Sequence, residues 1–255
     1  MKKFLVRGII VLIILIILAA LGVHFFLDAA IKRGVETIGP RVTKVDVKVD
    51  AITLSILSGS GRIRGLVVGN PPGFKTPSAI HVGTASLALV PGTLLNDKVV
   101  IKSINVEAPE ITFETDLTSN NLSKLLDNVK ETSGGKEPPP AQKPGEPAKP
   151  PKKLQVDDFV IHGGKVHVSI TPLNQNATVP LPDIHLTKLG TGPEGITPAE
   201  LTELVIQEIV KAAESQAGTV VTDIGKGAQY IGSGLKTNLM DKATKGIGDL
   251  FKKKN

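Results

Sequence analysis

The chain has no cysteine, no tryptophan, one tyrosine and an aromatic content of 3% in 255 residues. Without thiols there is no disulfide scaffold, no thiolate nucleophile and no Cys-ligated zinc or iron-sulfur centre. Without aromatics there are no stacking platforms of the kind that single-strand nucleic-acid binders use. Positive charge is also scarce where a nucleic acid would need it. Lys2, Lys3 and Arg7 at one end and Lys252, Lys253 and Lys254 at the other carry the whole +6, leaving 24 basic against 24 acidic residues between them. A balanced interior offers no basic stripe to a phosphate backbone, so nucleic acid is not an expected partner. The length suits one or two modest domains.

What the chain does have is a long apolar run. From Gly8 to Leu27 the only strongly polar side chain among 20 residues is His24. As a helix this run spans ~30 Å, one hydrocarbon core. Basic residues precede it and a mixed flank (Asp28, Lys32, Arg33, Glu36) follows. The positive-inside rule then puts the N-terminus in the cytoplasm and everything after Leu27 outside. Ala20-Leu21-Gly22 has the small-x-small form of a signal-peptidase site, but the apolar run continues past it, which favours a retained anchor over 1–27.

Beyond the anchor, Asp28 to Ile38 is expected to extend the helix until Gly39-Pro40 ends it. The period then changes. Val45, Val47 and Val49 alternate with charges, the pattern of a half-buried strand. Further strands are expected at Arg62 to Val68, His81 to Val90, Lys98 to Val106 and Glu110 to Thr115, with turn residues between them, as a run of β-hairpins. Leu122, Leu125, Leu126 and Val129 follow Thr118-Ser119-Asn120-Asn121 as an N-capped amphipathic helix that covers the sheet, closing a β-rich unit over 28–130. Residues 131–153 hold seven prolines between Pro138 and Pro151 and no large apolar side chain, the composition of an extended linker.

A second β-unit over 154–192 echoes the first. Ile101 to Glu114 and Val156 to Ser169 align without a gap at an offset of 55, with Ile104, Val106, Ile111 and Phe113 opposite Phe159, Ile161, Val166 and Val168. A small-residue turn divides each copy (Ala108-Pro109, Gly163-Gly164), so each reads as one hairpin, and like hairpins imply one extended sheet. Residues 193–255 read as amphipathic helices. Thr197-Pro198-Ala199-Glu200 is a capping box, a first stripe (Leu201, Leu204, Val205, Ile209, Ala212) runs to Gly218, and a second runs from Val220 to Leu250. Gly225, Gly227, Gly232, Gly234, Gly246 and Gly248 weaken that second helix, which needs a surface to lie on; Lys252, Lys253 and Lys254 suit an anionic membrane.

Motifs for chemistry are absent or broken. Gly59 to Gly65 misses the dinucleotide spacing and opens a strand, and position 220 is Val where a phosphate loop needs Gly. His162 and His167 flank one turn without a third metal ligand that Asp157-Asp158 can readily supply. No serine sits in a nucleophile elbow, and the carboxylates alternate with apolar or basic residues as on a solvated sheet. The expectation is a non-enzyme with no cofactor and no metal. Asn121-Leu122-Ser123 and Asn176-Ala177-Thr178 fit the glycan-acceptor pattern, and Pro144-x-x-Pro147 the polyproline-ligand pattern.

The succession of an N-terminal anchor, GSGRIRGLVVGNPPGF (59–74), TASLALVPGTLL (84–95), VVIKSINVEAPEITFE (99–114) and SNNLSKLL (119–126) resembles the N-terminal region of AsmA-like proteins, over about residues 1–130. VPLPDIHLTKLG (179–190) before GITPAEL (195–201) is similar to the close of short members. The resemblance implies an α+β chain: a transmembrane helix, then a twisted, mainly antiparallel sheet or gutter with covering helices. It also implies the inner membrane of a Gram-negative-type bacterium, with the β-rich part in the periplasm, and a role in lipid handling or outer-membrane homeostasis. With about one groove unit, the chain is too short to bridge an envelope.

Two readings follow. In the first, membrane phospholipid lies against apolar faces formed by Val45, Val47, Val49, Leu87, Leu89, Ile104, Val106, Ile111, Phe113, Phe159, Ile161, Val166 and Val168. In the second, those faces are core under the helices, and the protein is a structural or adaptor component of the envelope. No motif names a protein partner.

Overall fold

The computed structural model describes residues 27–116, 118–134 and 152–231. The Gly8 to Leu27 run up to residue 26, the prolines from Pro138 to Pro151, and Lys252, Lys253 and Lys254 lie outside them, as does the second C-terminal stripe beyond Ile231. No helix among the described residues is long and apolar enough to cross a membrane.

The described residues form an α+β fold: three helices and a curled, open sheet that forms a half-barrel. Helix α1 covers 27–43. Strands β1 (Val47–Lys48), β2 (Ala51–Ser55), β3 (Ser60–Gly69), β4 (Ser78–Leu89), β5 (Lys98–Glu107) and β6 (Glu110–Thr115) precede helix α2 (Asn121–Ser133). Strands β7 (Lys153–His162), β8 (Lys165–Ile170), β9 (Gln175–Pro180) and β10 (Ile184–Leu189) precede helix α3 (Pro198–Ile231). All ten strands belong to one sheet.

The register reduces these ten segments to six long paths lying side by side in chain order: β1–β2, β3, β4, β5–β6, β7–β8 and β9–β10. The β5–β6 path runs antiparallel to β4 in one register on both sides of its break, with Thr84 opposite Glu107 and His81 opposite Glu110. The β7–β8 path runs parallel to β5–β6 at a constant offset, from Lys98 opposite Lys153 to Thr115 opposite Ile170. The same continuity holds for β1–β2 against β3 and for β9–β10 against β7–β8.

The breaks line up. Carried through this register, Asp50, Gly65, Gly83, Ala108, Gly163 and Pro182 form a row that crosses all six paths, a crease in the sheet. Gly65, Ala108 and Gly163 have φ of 61°, 45° and 66°, in the left-handed region that interrupts a strand. At the crease the side-chain alternation slips by one residue on every path. Inward apolar residues therefore step from Ile63 to Leu66, Val82 to Ala85, Val106 to Ile111 and Ile161 to Val166, by three or five positions where an unbroken strand steps by two or four. The two repeat copies are thus not hairpins. Each is one bent strand, and the copies pair with each other in parallel, Ile104 with Phe159, Val106 with Ile161, Ile111 with Val166 and Phe113 with Val168. The small residues that suggested a turn serve the crease.

Helix α1 runs along the free edge of the first path. The Leu54 N–H donates to Asp28 Oδ1 (2.8 Å), Lys32 Nζ donates to the Asp50 carbonyl (2.9 Å), and the Val49 N–H donates to Glu36 Oε1 (3.2 Å). Spacing of four places these three side chains on one helical stripe, which satisfies an edge that would otherwise invite pairing with another chain. The expected stop at Gly39-Pro40 does not occur. The last turn is held past Pro40 by Lys44 N–H to the Pro40 carbonyl (2.9 Å) and Thr43 Oγ1 to the Gly39 carbonyl (2.9 Å), and a Cβ on Gly39 would stand 2.9 Å from that of Val47.

Asn120 caps α2 as expected, accepting from the Ser123 N–H (2.7 Å), and Leu122, Leu125, Leu126 and Val129 are buried. In α3 the capping box forms, with Glu200 N–H to Thr197 Oγ1 (3.1 Å) and Thr197 N–H to Glu200 Oε2 (2.6 Å). The helix does not end at Gly218 but continues to Ile231, because a glycine costs a helix only ~1 kcal/mol. Its buried face is Ile206, Ile209, Val210, Ala213 and Ala217, whereas Leu204 is exposed. Helices α2 and α3 pack on each other and on β6, and α3 also meets β8, β9 and β10.

Candidate functional site

The crease divides the inner, apolar face of the sheet into two facets. On the facet under α2 and α3, one row joins Val47, Val68, Ile80, Ile111, Val166 and Val179 across all six paths. Val45, Val47, Val49, Ile111, Phe113, Val166 and Val168 all lie on this facet and are all buried, Ile111 and Val166 completely.

The other facet is more open. Its first row is Ile52, Ile63, Ala85, Val106, Ile161 and Ile184, and its second is Leu54, Gly61, Leu87, Ile104, Phe159 and Leu186. Leu89, Val106, Phe159 and Ile161 are buried here, while Leu87 and Ile104 are half-buried. Ile52, Ile63, Ile101, Leu186 and Leu189 share this face and are also half-buried. The sequence reading did not single out these five. Their signal is the alternation of β2, β3, β5 and β10, which sets these apolar residues against outward polar neighbours such as Arg62 and Arg64. Gly61 lets two leucines meet over the second row: a Cβ there would stand 2.9 Å from Leu87 Cγ and 3.0 Å from Leu54 Cδ1. The result is a contiguous apolar floor without charge, in which Leu54, Ala85, Val106, Phe159, Ile161 and Ile184 are buried and Ile52, Ile63, Leu87, Ile104 and Leu186 are half-buried.

At this facet Thr53, Ser55, Ser60, Arg62, Arg64 and Ser86, together with Gly61 and Leu87, line a concavity of about 310 Å³. Among the described residues, no group of three or more His, Asp or Glu is placed to hold a metal. His162 is exposed, and His167 Nδ1 instead bonds Thr178 Oγ1 (3.0 Å).

Among the described residues the buried carboxylate is Glu114, on β6 at the end of the sheet away from the β2–β3 turn. It accepts from the Lys75 N–H (2.8 Å), the Thr76 N–H (2.8 Å) and the Thr76 hydroxyl (2.6 Å), pinning the β3–β4 loop against the sheet. Burial opposes its ionisation, yet these donors outweigh burial and hold its pKa below the ordinary glutamate value. Asn121 completes the network: its Oδ1 accepts from the Glu114 N–H (2.9 Å), and its Nδ2 donates to Asn70 Oδ1 (2.7 Å) and the Thr112 carbonyl (2.8 Å). Fully buried, Asn121 is no glycan acceptor in the folded protein, whereas Asn176 is exposed on β9. This group was not anticipated from sequence, where Asn121 figured only in the capping run 118–121 and in a glycan-acceptor pattern.

Comparison with curated proteins and with solved structures gave no significant match. The AsmA family model matches residues 1–188, which spans the apolar N-terminal run, α1, the whole creased pairing of the two repeat copies and most of β10. The chain belongs to the AsmA family.

Proposed function

We propose that this is an inner-membrane-anchored periplasmic protein that handles lipid, seating acyl chains on the half-buried floor formed by Leu87, Ile104 and their neighbours on the open facet. The observation that carries the reading is that floor: a contiguous aliphatic surface, left partly wet, in a sheet whose other facet is closed by α2 and α3. Contiguous apolar surface that stays partly exposed marks an interaction site in many soluble domains. Family membership supports the same reading, and the Gly8 to Leu27 run supports the anchor and the periplasmic placement of all that follows. No catalytic role is proposed; Glu114, the buried carboxylate, is saturated by donors.

The test is to purify the full chain in mild detergent and analyse its extract for phospholipid by mass spectrometry. Phospholipid that is retained by the wild type and lost on Leu87→Gln with Ile104→Gln supports the reading. A reporter fused after Asn255 that works only in the periplasm supports the topology. A lipid-free, monodisperse protein supports the second reading, a structural or adaptor component of the envelope. What favours that second reading is the complete burial of Ile111 and Val166 and the near-complete burial of Phe113 and Val168, which makes much of the predicted apolar face core.

A further inference from the structure

Two leucines stand almost wholly in solvent: Leu57 at 99% exposure in the turn between β2 and β3, and Leu95 at 95% in the connection between β4 and β5. Both connections are at the same end of the sheet, since the Leu89 N–H at the end of β4 donates to the Gly59 carbonyl in the β2–β3 turn (2.7 Å). Neither side chain is exposed through slack. Lys152 Nζ donates to the carbonyls of Leu94 and Asn96 on either side of Leu95, and Thr93 Oγ1 donates to the Val90 carbonyl (2.7 Å). Beside Leu57, the Ser58 and Ser60 hydroxyls are 2.7 Å apart, and Ser58 Oγ reaches the Ser55 carbonyl (3.5 Å). Ile56, next to Leu57, is also exposed. Large aliphatic side chains held outward on braced loops are costly in water and favourable in hydrocarbon.

A separate observation says what covers them. Asp28 takes the Leu54 N–H, so the described start of α1 lies at this same end, beside the β2–β3 turn. The chain arriving there comes directly from the apolar Gly8 to Leu27 run. We infer that Leu57 and Leu95 insert into the interface of the bilayer that holds this run, seating the open facet end-on against the membrane. The occupant of these tips is lipid. Half-buried Ile101, paired with buried Leu89, is on the side of the floor nearest the tips, so an acyl chain leaving the bilayer at this end meets apolar side chains on its way to Ile104 and Leu87. This inference rests on the anchored, lipid-handling reading above.

The absence of native cysteine allows a direct test in the full chain. Leu57→Cys, Leu95→Cys and, at the opposite end, Gln175→Cys are each labelled with a thiol-reactive fluorophore. Each is reconstituted into phosphatidylethanolamine–phosphatidylglycerol vesicles containing a lipid with a quencher high on its acyl chain. The expected result is several-fold stronger quenching at positions 57 and 95 than at 175. Quenching at 57 and 95 no greater than at 175, in protein that floats with the vesicles, overturns the inference. Protein that does not float with them overturns the anchor and this inference together. Strong quenching at 57 and 95 in a protein whose extract contains no phospholipid upholds the membrane seat and rejects lipid handling alone. Leu57→Asp with Leu95→Asp provides a second readout. It is expected to leave circular dichroism unchanged and to raise the accessibility of a label at Ser60→Cys to an aqueous quencher, and an unchanged accessibility counts against the seat.

Discussion

The carboxylate of Asp50 occupies the space that a side chain at Gly65 would need: a Cβ built on Gly65 stands 2.0 Å from Asp50 Oδ2 and 2.4 Å from its Cγ. Both residues lie on the crease, as does Gly163, where a Cβ would meet nothing within 4 Å. The two glycines share a left-handed φ and differ in crowding, so they separate backbone strain from contact. Gly163→Ala is expected to cost about 1–2 kcal/mol, the strain of that conformation alone. Gly65→Ala should cost more, by roughly 1–3 kcal/mol for overpacking. Asp50→Ala in the Gly65→Ala background should close most of the gap, measured by urea denaturation.

Glu114 makes stability depend on pH in a defined direction. Its pKa is lower in the folded chain than in the unfolded one. Its contribution is therefore complete above the ordinary glutamate range and is lost as pH falls through the lower, folded value. Thermal melts should be flat near neutrality and fall on acidification. Glu114→Gln is expected to cost about 2–4 kcal/mol at pH 7, because an amide facing the Lys75 and Thr76 donors leaves them partly unpaired. The same variant should show a shallower acid limb; a limb identical to that of the wild type would assign the pH dependence elsewhere.

The stripe of Asp28, Lys32 and Glu36 guards the outer edge of β1–β2. Replacing all three by alanine should speed hydrogen exchange at the Leu54 and Val49 amides by about tenfold or more, the loss of a hydrogen bond worth ~1.5 kcal/mol. Exchange at the Phe113 amide, inside the sheet, should hardly change.

The two facets should respond differently to the same kind of lesion. Ile111→Ala, in the closed facet, should cost about 2–5 kcal/mol, the usual cost of a core cavity. Leu87→Ala, on the half-buried floor, should cost about 1–2 kcal/mol because the site is already partly wet. Chemical denaturation of the two variants ranks them, and equal costs would mean that the open facet is packed as core.

Much of this fold was legible in the sequence. Val45, Val47 and Val49 alternate as a strand edge should, and the four-residue apolar sets of the two repeat copies all point to one face. The offset of 55 is the register of their pairing. What misled was the step of five from Val106 to Ile111. A hairpin and a phase slip both place small residues between two apolar pairs, and one copy cannot tell them apart. The partner decides: a hairpin folds back on itself, whereas here the copies lie beside each other, the first also pairing with β4 and the second with β9–β10. The floor residues Ile52 and Ile63 were hidden for a different reason, since outward Arg62 and Arg64 put charge on the strand although its other side is apolar and half-buried. Glu114 and Asn121 left no periodic trace. A polar network closed by a distant loop depends on contacts between positions far apart in the chain, and no local pattern encodes them.

Parallel pairing of two like strands at a constant offset has a consequence for how such a sheet changes size. In an antiparallel meander, copying one strand reverses its direction relative to its neighbours and spoils the match of large to small residues. Here a copied bent strand, laid beside its template in the same direction, brings its own hinge residue and its own two pairs of apolar side chains into line with those already present. The only new demand is a long return connection, and loop-closure entropy rises slowly with length. The trough can therefore widen by whole strands while its cross-section, its fold line and the chemistry of its lining stay the same.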